Sequence, residues 1–364
     1  MITCAPSFQE QLGGPHAFYN QKDYEESTKK DLSQTNHLPT TYEWNTDSKI
    51  ITIARLVFQI LFFPLAIYRG LHILAAKIAI LPSSSPWILD KSKGMINDIR
   101  SNTPLDEEWK YKRLTIEVDG YKVDAVIVGK PKTLQNGQWT LFSNGNAQFY
   151  EYNLHNYSQL REFLTLTNSN ALLFNYPGVG SSSSLPSKEA MTKAYRSMLT
   201  FLEDDIKGIG AKKIIGYGLS IGGAVQAEAL NQHVLKSNIK YVFVKDRTFS
   251  DLSLTASLLT TRVLGFLVLI LGWKMQPALS SKKLKAPEII IQTAQVKKYT
   301  KSPKPSKIID DGVIHSKASL ATALLEDTTC SKTNKLFIGV PDQHNDYLSD
   351  LPFLANEIIA NLNK

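Results

Sequence analysis

Short apolar runs recur from residue 112 to the end of the chain, and each is followed by small or polar residues. The runs are rich in Val, Ile, Leu and Phe, which is typical of buried β-strands that end in tight turns. The pattern predicts strands within these segments: Arg113–Val118, Tyr121–Gly129, Trp139–Asn146, Asn170–Gly180, Lys212–Ser220, Ile239–Asp246, Pro287–Ala294 and Asn334–Pro341.

Segments compatible with helices separate most of these strands, for example Lys188–Asp205 and Gly222–Leu235. The first two strands are joined by Asp119-Gly120, a dipeptide typical of β-hairpin turns. One hairpin followed by alternating strands and helices predicts an α/β fold, with helices on both faces of a mostly parallel, eight-stranded sheet. In such sheets the functional groups lie at the carboxyl ends of the strands.

Two regions precede these strands. Residues 1–48 are polar and are predicted to form a flexible arm. Residues 49–104 are predicted to form a helical extension, because they contain the apolar segment Ile50–Leu81, which is uncharged for thirteen residues between Arg55 and Arg69. A bilayer crossing needs about 20 apolar residues. Three interpretations stay open: a helix pair packed on the domain, a helix lying in a membrane surface, and a membrane span.

A second apolar segment lies between the predicted sixth and seventh strands, in residues 249–283. Its centre, Val263–Trp273, is too short to cross a bilayer. Residues 105–364 are therefore predicted to form one domain with a helical cap at 249–283. An apolar cap over a reactive group is typical of an acyl-chain pocket or an interfacial lid. The alternative is a helix buried against the core.

Net charge changes the expected partners rather than the fold. The 364-residue chain has a formal net charge of +8, which favours anionic neighbours. A cluster of lysines follows the cap: Lys282, Lys283, Lys285, Lys297, Lys298, Lys301, Lys304 and Lys307. Together with the two apolar segments, this cluster predicts contact with an anionic membrane surface, and the alternative is a solvated loop. Nucleic acid is not an expected partner, because no recognised binding motif accompanies the charge.

The two cysteines, Cys4 and Cys330, lie at opposite ends of the chain and outside any CxxC pattern. This usage predicts neither a disulfide framework nor a zinc site, and it is typical of a reducing compartment. The N-terminus lacks a basic region and an apolar run, so a Sec signal peptide is not predicted. The expected location is the cytoplasm or the periphery of a membrane.

One short motif carries candidate chemistry. The segment Gly218–Gly222 reads GLSIG, which fits G-x-S-x-G, and it lies between a predicted strand and a helix-compatible run. In that context a serine is expected to be a nucleophile on a strained strand-to-helix turn. Small neighbours let strand and helix approach, and the helix N-terminus points its N–H groups at developing negative charge. Ser220 is therefore the predicted nucleophile.

A serine nucleophile needs a general base, and the base needs an orienting acid. His344, in the loop after the last predicted strand, is the predicted base, and His315 is interpreted as a helix-start or surface histidine. Asp311, after the seventh strand, is the first candidate for the acid, with Asp310 and Asp246 as alternatives. The chain order serine, acid, histidine is the one expected when the motif lies in such a sheet.

Acyl transfer at such a serine also needs two N–H donors aimed at the developing oxyanion. Ile221, directly after Ser220, is predicted to provide one of them. The turn Asn144–Ala147, after the predicted third strand, is expected to provide the other through Asn146, with Ala147 as its neighbour. Neither a metal nor an organic cofactor is expected, because this chemistry needs neither.

Taken together, these motifs resemble the α/β-hydrolase superfamily over residues 105–364. They are similar to its membrane-associated branch, which has HGNA after the third strand and GHND after the last. Here these read SNGNA (Ser143–Ala147) and QHND (Gln343–Asp346), and FNYPGVGSSS (Phe174–Ser183) looks like the YDYSGYGSS turn of that branch. Asn144 stands where the branch has a histidine. The resemblance implies that this position is supportive rather than catalytic, so the hydrogen bonding of the loop is expected to differ.

The layout, the basic composition and the motifs NGNA and GYGLSIGG also resemble a narrower group. This group consists of the chlamydial CHLPS family and the SidB-type lipase-like effectors of Legionella. The resemblance implies a lipase-like protein of an intracellular bacterium that is delivered into host cells without a Sec signal.

These patterns predict a serine hydrolase that cleaves carboxylic acyl esters, with lipid-like esters as the expected substrates, through an acyl-enzyme. Acyl-chain length, head group and oligomeric state stay open at this point. One alternative is an acyl-protein thioesterase, which the resemblance implies because the branch includes depalmitoylases. Another is a non-catalytic membrane- or partner-binding protein on a hydrolase scaffold. The set Ser220, Asp311 and His344, in the expected order, favours the enzyme.

Overall fold

The computed structural model describes residues 37–42, 63–85, 87–88, 91–92, 108–130, 133, 136–155, 157–205 and 208–364. Strands of these residues form one sheet: β1 (His37–Tyr42), β2 (Lys110–Val118), β3 (Tyr121–Gly129), β4 (Gln138–Ser143), β5 (Asn170–Phe174), β6 (Lys213–Leu219), β7 (Lys240–Asp246), β8 (Glu288–Thr293), β9 (Thr300–Lys301) and β10 (Lys335–Val340). Their order across the sheet is β1-β2-β3-β5-β4-β6-β7-β8-β10-β9.

Strand pairing confirms the predicted α/β architecture. From β5 to β10 each neighbouring pair is parallel, whereas β3 is antiparallel to both β2 and β5. Asp119 and Gly120 join β2 to β3 with φ values of 47° and 82°, as a two-residue hairpin turn requires. The eight predicted strands are present, and β1 and the two-residue β9 extend the sheet at its edges.

Ten α-helices are formed by the described residues: α1 (Phe63–Ala75), α2 (Tyr150–His155), α3 (Tyr157–Leu166), α4 (Lys188–Glu203), α5 (Ile221–Leu230), α6 (Leu252–Leu259), α7 (Arg262–Ile270), α8 (Pro277–Lys283), α9 (Leu320–Glu326) and α10 (Leu351–Leu362). The side chain of Ser187 caps α4 by accepting a hydrogen bond from the Ala190 N–H group. Every residue of α5 is buried, because its Gly and Ala residues let it pack closely against the neighbouring helices and strands.

Alternate residues of the strands supply two apolar cores, one on each face of the sheet. In β3, Ala125 and Ile127 belong to one core, while Val126 and Val128 belong to the other. This alternation follows from the two-residue period of a strand. Because both faces are covered, the strands read as nearly continuous apolar runs, which is the pattern that predicted them.

The cap region between β7 and β8 consists of α6, α7 and α8. The side chain of Asp251 caps α6, and that of Thr261 caps α7. Most residues of α6 and α7 are partly or fully exposed, and Thr255, Gly265 and Val268 are the buried ones. Most of α6 and α7 therefore lies at the surface, and their role as a cap stays a prediction.

The N-terminal apolar segment reaches this cap through α1. The His72 ring stacks on the Trp273 ring with centroids 4.8 Å apart, and Trp273 Nε1 donates to the His72 carbonyl oxygen at 3.2 Å. A π-helical turn, Ala76–Ile80, continues from α1. Residues 50–62 of this segment lie outside the described residues. Of the described helices, none has the length and apolar character that a membrane crossing demands.

Two further predictions concern the N-terminal arm and the lysine cluster. Of the predicted arm, only residues 37–42 are described, and they form β1 beside β2. In the lysine cluster, Lys282 forms an ion pair with Asp327, and Lys301 forms one with Glu357. Part of that charge is therefore neutralised within the protein.

Candidate active site

Ser220 occupies the turn between β6 and α5. Its backbone has φ 54° and ψ −120°, a conformation that residues with a side chain rarely adopt. A hydrogen bond of 2.8 Å from the Ser220 N–H group to the Asp246 carbonyl oxygen holds the turn against β7. A strained serine between a strand and a helix has the geometry of a nucleophile elbow.

Two glycines of the motif make this turn possible. A Cβ atom on Gly218 would lie 2.6 Å from Gly223 Cα, and a Cβ atom on Gly222 would collide with the Ser143 carbonyl oxygen. Both collisions are with backbone atoms, which cannot move aside as a flexible side chain can. The need for small residues around Ser220 therefore follows from the close approach of α5 to β6 and to the end of β4.

A chain of hydrogen bonds joins Ser220, His344 and Asp311. His344 Nε2 lies 3.1 Å from Ser220 Oγ, and His344 Nδ1 lies 2.9 Å from Asp311 Oδ2. The His344 N–H group also donates to the Asp311 carbonyl oxygen at 2.8 Å. All three residues are buried. When Nδ1 donates to the carboxylate, Nε2 is left to accept the proton of the serine hydroxyl.

Asp311 is surrounded by donors. Its Oδ1 accepts hydrogen bonds from the N–H groups of Val313 at 3.0 Å and Ile314 at 2.6 Å, and Gln292 Nε2 lies 3.2 Å from Oδ2. Burial alone would raise the pKa of Asp311. The hydrogen bond and charge of His344, together with the two backbone donors, outweigh burial and hold the pKa below its usual value. The carboxylate is therefore ionised at neutral pH.

His315 and Asp310, one of the alternative acids, lie outside this chain of hydrogen bonds. Asp310 is exposed, and its carboxylate accepts a hydrogen bond from the Ser316 N–H group at 2.7 Å. His315 Nε2 lies 3.7 Å from the same carboxylate, and His315 Nδ1 accepts from the Lys317 N–H group. His315 thus caps the 3-10 helix Ser316–Ala318, as interpreted from the sequence, and the Asp310 carboxylate lies near the His315 ring.

Asp246, the second alternative acid, is buried and engaged by other partners. Its Oδ2 accepts a hydrogen bond from the Tyr217 hydroxyl at 2.7 Å. Arg247 Nε and Nη2 donate to the two carboxylate oxygens at 2.8 and 3.0 Å. The carboxylate therefore holds the arginine rather than the histidine.

Arg247 is a residue of this site that motif reasoning missed. Its backbone φ is 43°, and the side chain is buried. Nη1 donates to the carbonyl oxygens of Gln343 and Asp346, the latter at 2.8 Å. These two carbonyls flank His344, so the guanidinium ties the end of β7 to the histidine loop. Backbone carbonyl groups are present at every position, so a side chain that binds them leaves no pattern in the sequence. The only signal for Arg247 was its position directly after a strand that ends at the site.

The residues of the two predicted oxyanion donors, Ile221 and Asn146, line the same cavity as Ser220. Ile221 is the first residue of α5, so its N–H group is among those that a helix leaves without an intrahelical partner. Asn146 and Ala147 lie in the turn after β4 and line the same cavity as Ser220. Ala147 has φ 59°, which reverses the backbone directly after Asn146.

The side chain of Asn144 anchors this turn. Its Nδ2 donates to the Phe174 carbonyl oxygen at 2.9 Å, and its Oδ1 accepts from Asn153 Nδ2 at 3.0 Å. The Tyr176 hydroxyl donates to the Asn144 carbonyl oxygen at 3.0 Å. Both ends of the amide are thus satisfied, and the turn is supported by hydrogen bonds to the side chain and the carbonyl oxygen of Asn144.

A cavity of about 980 Å³ opens beside the serine and the histidine. Ser220, His344, the turn after β4 and the loop of Arg247 form one part of its wall. Apolar side chains of α1, α6 and α7 form much of the rest. This volume is at the upper end of the range for small-ligand sites. The site therefore offers space for a large apolar group next to the Ser220 hydroxyl.

The chemistry available here is that of a hydroxyl, an imidazole and a carboxylate in line. The hydroxyl lies within proton-transfer distance of an imidazole nitrogen, and the other nitrogen faces an ionised carboxylate. Elsewhere among the residues that the structure describes, no group of three or more His, Cys, Asp or Glu side chains is arranged to hold a metal ion.

The chain is similar to several solved structures at low sequence identity. An esterase from Pyrococcus furiosus is 14% identical, with 69% of this chain and 90% of that chain covered and a TM-score of 0.48. Acetyl xylan esterase 1 from Thermoanaerobacterium is 10% identical, with coverages of 77% and 94% and a TM-score of 0.48. A hydrolase described as putative, from Agrobacterium vitis, is 12% identical, with coverages of 70% and 99% and a TM-score of 0.47. No curated protein matches the sequence.

The mostly parallel sheet, the strand–serine–helix turn and a histidine after the last parallel strand together give the α/β-hydrolase fold. A family model adds a narrower assignment, because it matches residues 24–363, which include the cap and every predicted site residue. The narrower resemblance predicted from the sequence is thereby confirmed for the chlamydial family. The chain belongs to the family described as Chlamydia CHLPS protein (DUF818).

Proposed function

We propose that the protein is a serine hydrolase of carboxylic acyl esters. The observation that carries this proposal is the hydrogen-bonded chain from Ser220 Oγ through His344 to Asp311, with distances of 3.1 and 2.9 Å. A serine beside an imidazole that a carboxylate orients is the arrangement that activates a hydroxyl for acyl transfer. The fold alone would not support the proposal, because one fold hosts many functions.

In the proposed reaction, His344 Nε2 takes the hydroxyl proton while Ser220 Oγ attacks the carbonyl carbon of the ester. Asp311 keeps Nδ1 protonated and stabilises the imidazolium. The oxyanion accepts hydrogen bonds from the N–H groups of Ile221 and Asn146. The imidazolium then protonates the leaving alkoxide, and the alcohol departs. Water, deprotonated by the same imidazole, hydrolyses the acyl-enzyme and releases the carboxylic acid.

We further propose that the acyl group is long and lipid-like. The cavity of about 980 Å³ is lined by apolar side chains of α1, α6 and α7. A short acyl group would leave most of this lining in contact with water, whereas a long chain would remove it from water and gain the hydrophobic free energy.

A fluorescent fluorophosphonate, which reacts with activated serines, tests the nucleophile. Wild type should be labelled and Ser220→Ala should not. Ser197→Ala is the matched control, because Ser197 is a buried serine of α4 that does not line the cavity. It should be labelled like wild type. If wild type stays unlabelled even with liposomes present, the catalytic proposal is wrong, and a binding protein on a hydrolase scaffold replaces it.

Hydrolysis of p-nitrophenyl esters from acetate to palmitate tests the substrate class. A rate that peaks at medium or long chains supports lipid-like esters, and a peak at acetate contradicts them. S-acyl peptides belong in the same panel, because the same serine chemistry cleaves thioesters. Faster cleavage of S-acyl peptides than of the oxygen esters would identify an acyl-protein thioesterase instead.

A further inference from the structure

Exposed apolar side chains are concentrated on two stretches of the chain. Of the twenty exposed large apolar side chains that the structure describes, six lie within residues 65–78 and eight within residues 254–270. Ile78, Val263 and Phe266 are 68%, 67% and 62% exposed. We name these fourteen side chains the apolar crest. A soluble protein rarely leaves such a concentration without a partner.

The two stretches form a single surface. They are joined by the stacked rings of His72 and Trp273 and by the hydrogen bond from Trp273 Nε1 to the His72 carbonyl oxygen. The crest is also continuous with the cavity, because Leu71 and Leu74 of α1 and Leu267 of α7 are exposed and line the cavity as well. A molecule that covers the crest therefore lies at the entrance of the candidate active site.

Charge identifies the kind of partner. Residues 63–81 and 252–274 contain no Asp or Glu, and their charged residues are Arg69, Lys77, Arg262 and Lys274. An apolar face whose own segments carry only basic charged residues complements a bilayer that carries anionic head groups. Helix α7 is nine residues long, which is too short to cross a bilayer and suits a position in its surface.

We propose that the apolar crest docks on the surface of bilayers that contain anionic lipids. Docking turns the cavity entrance toward the acyl chains, so that a lipid enters without crossing water. The docking does not depend on catalysis. Its consequence for lipid substrates rests on the proposed function.

Vesicle co-sedimentation of the full chain tests the docking. The vesicles consist of phosphatidylcholine, with and without phosphatidylserine. Wild type should bind the vesicles with phosphatidylserine more tightly. The double variant Val263→Ser, Phe266→Ser should bind about tenfold or more weakly, because two large apolar side chains no longer enter the interface. Arg262→Gln with Lys274→Gln should lose most of the preference for phosphatidylserine.

The matched control is Val234→Ser, because Val234 is 89% exposed but lies outside the crest. It should bind like wild type. Vesicle binding by the double variant at wild-type strength would overturn the proposal, as would equal weakening in the control. Wild type that associates with itself and ignores vesicles, while the double variant is monomeric, would overturn it in favour of a second copy of the chain on the crest.

Two readouts separate this proposal from the catalytic one. Ser220→Ala should bind vesicles like wild type, because the serine lies inside the cavity and not on the crest. The Val263→Ser, Phe266→Ser variant should still react with the fluorophosphonate in solution, because neither side chain lines the cavity. Binding without labelling leaves the docking in place and removes the catalytic proposal, and labelling without binding does the reverse.

Discussion

A single carboxylate, Asp311, receives hydrogen bonds from two backbone N–H groups and from the ring of His344. We expect Asp311→Asn to lower kcat about 10³- to 10⁴-fold, because an amide no longer holds the histidine tautomer that accepts the Ser220 proton. Steady-state kinetics with a p-nitrophenyl ester measures this. Asp310→Asn is the matched control and should retain its activity, because Asp310 faces His315 instead.

The same contacts make stability depend on pH. The pKa of Asp311 is lowered in the folded chain, so the folded carboxylate binds a proton less readily than the unfolded one. Its contribution to the free energy of unfolding is therefore complete above the pKa of an unfolded aspartate, about 3.9. The contribution is lost as the pH falls through the lower folded pKa. Urea unfolding should show a stability difference between wild type and Asp311→Asn that shrinks in acid, and a difference independent of pH would contradict this.

Arg247 joins Asp246, at the end of β7, to the loop that contains His344. We expect Arg247→Gln to lower kcat about ten- to a hundredfold with little change in KM, because a loosened loop misplaces the His344 ring. Arg247→Lys should restore part of the rate. Arg161→Gln, an exposed arginine of α3 outside the cavity, is the control. If Arg247→Gln raised KM ten- to a hundredfold and left kcat unchanged, Arg247 would serve substrate binding rather than the position of His344.

For individual residues of the site, the sequence does not show in which direction each side chain points. Ser220 and His344 follow from a motif and from chain order, both of which can be read along the sequence. The choice between Asp310 and Asp311 depends on the turn in which the Val313 and Ile314 N–H groups draw one carboxylate inward. Adjacent residues of a loop point in different directions, so the sequence ranked Asp311 first but left Asp310 and Asp246 open as alternatives.

At the scale of elements, the approach of α5 to its neighbouring strands sets what the motif tolerates. A Cβ atom on Gly222 would meet the carbonyl oxygens of Ser143, at the end of β4, and of Asn144, in the turn of the predicted oxyanion donor. We expect Gly222→Ala to cost about 1–3 kcal/mol of stability and to abolish fluorophosphonate labelling. Urea unfolding and labelling of the same preparation measure both effects.

Gly70→Ala provides the comparison for this prediction. A Cβ atom on Gly70, in α1, has nothing within 4 Å. Alanine there should leave stability unchanged or raise it by up to about 1 kcal/mol, because it favours the helix. If both alanine variants behaved alike, the close approach of α5 would not be the reason for the glycine.

The elements differ in how far their sequences predicted them. The eight core strands followed from apolar runs with turns at their ends, because strands buried on both faces have that composition. The helix predicted at Gly222–Leu235 ends at Leu230, since helix ends depend on local capping and packing. The contact of α1 with the cap had no signal, because it rests on a ring stack between His72 and Trp273.

At the scale of the whole molecule, the N-terminal extension and the cap together shape the cavity. Ala256 of α6 lines that cavity and is partly buried. We expect Ala256→Trp to lower the rate on palmitate esters about tenfold or more while sparing acetate esters, because the indole takes the space of the acyl chain. Ala256→Ser, which adds little volume, should keep the wild-type profile. Equal losses on both esters would mean that the acyl chain lies elsewhere.

The sequence by itself determined the α/β architecture and the position of the elbow serine, because apolar periodicity and a five-residue motif are local properties. Tertiary structure decided which aspartate faces His344, how Arg247 holds the histidine loop, and that two apolar stretches far apart in the chain form one crest. These features depend on residues up to about two hundred positions apart, such as His72 and Trp273. Only the folded backbone brings such residues together and sets the direction of each side chain.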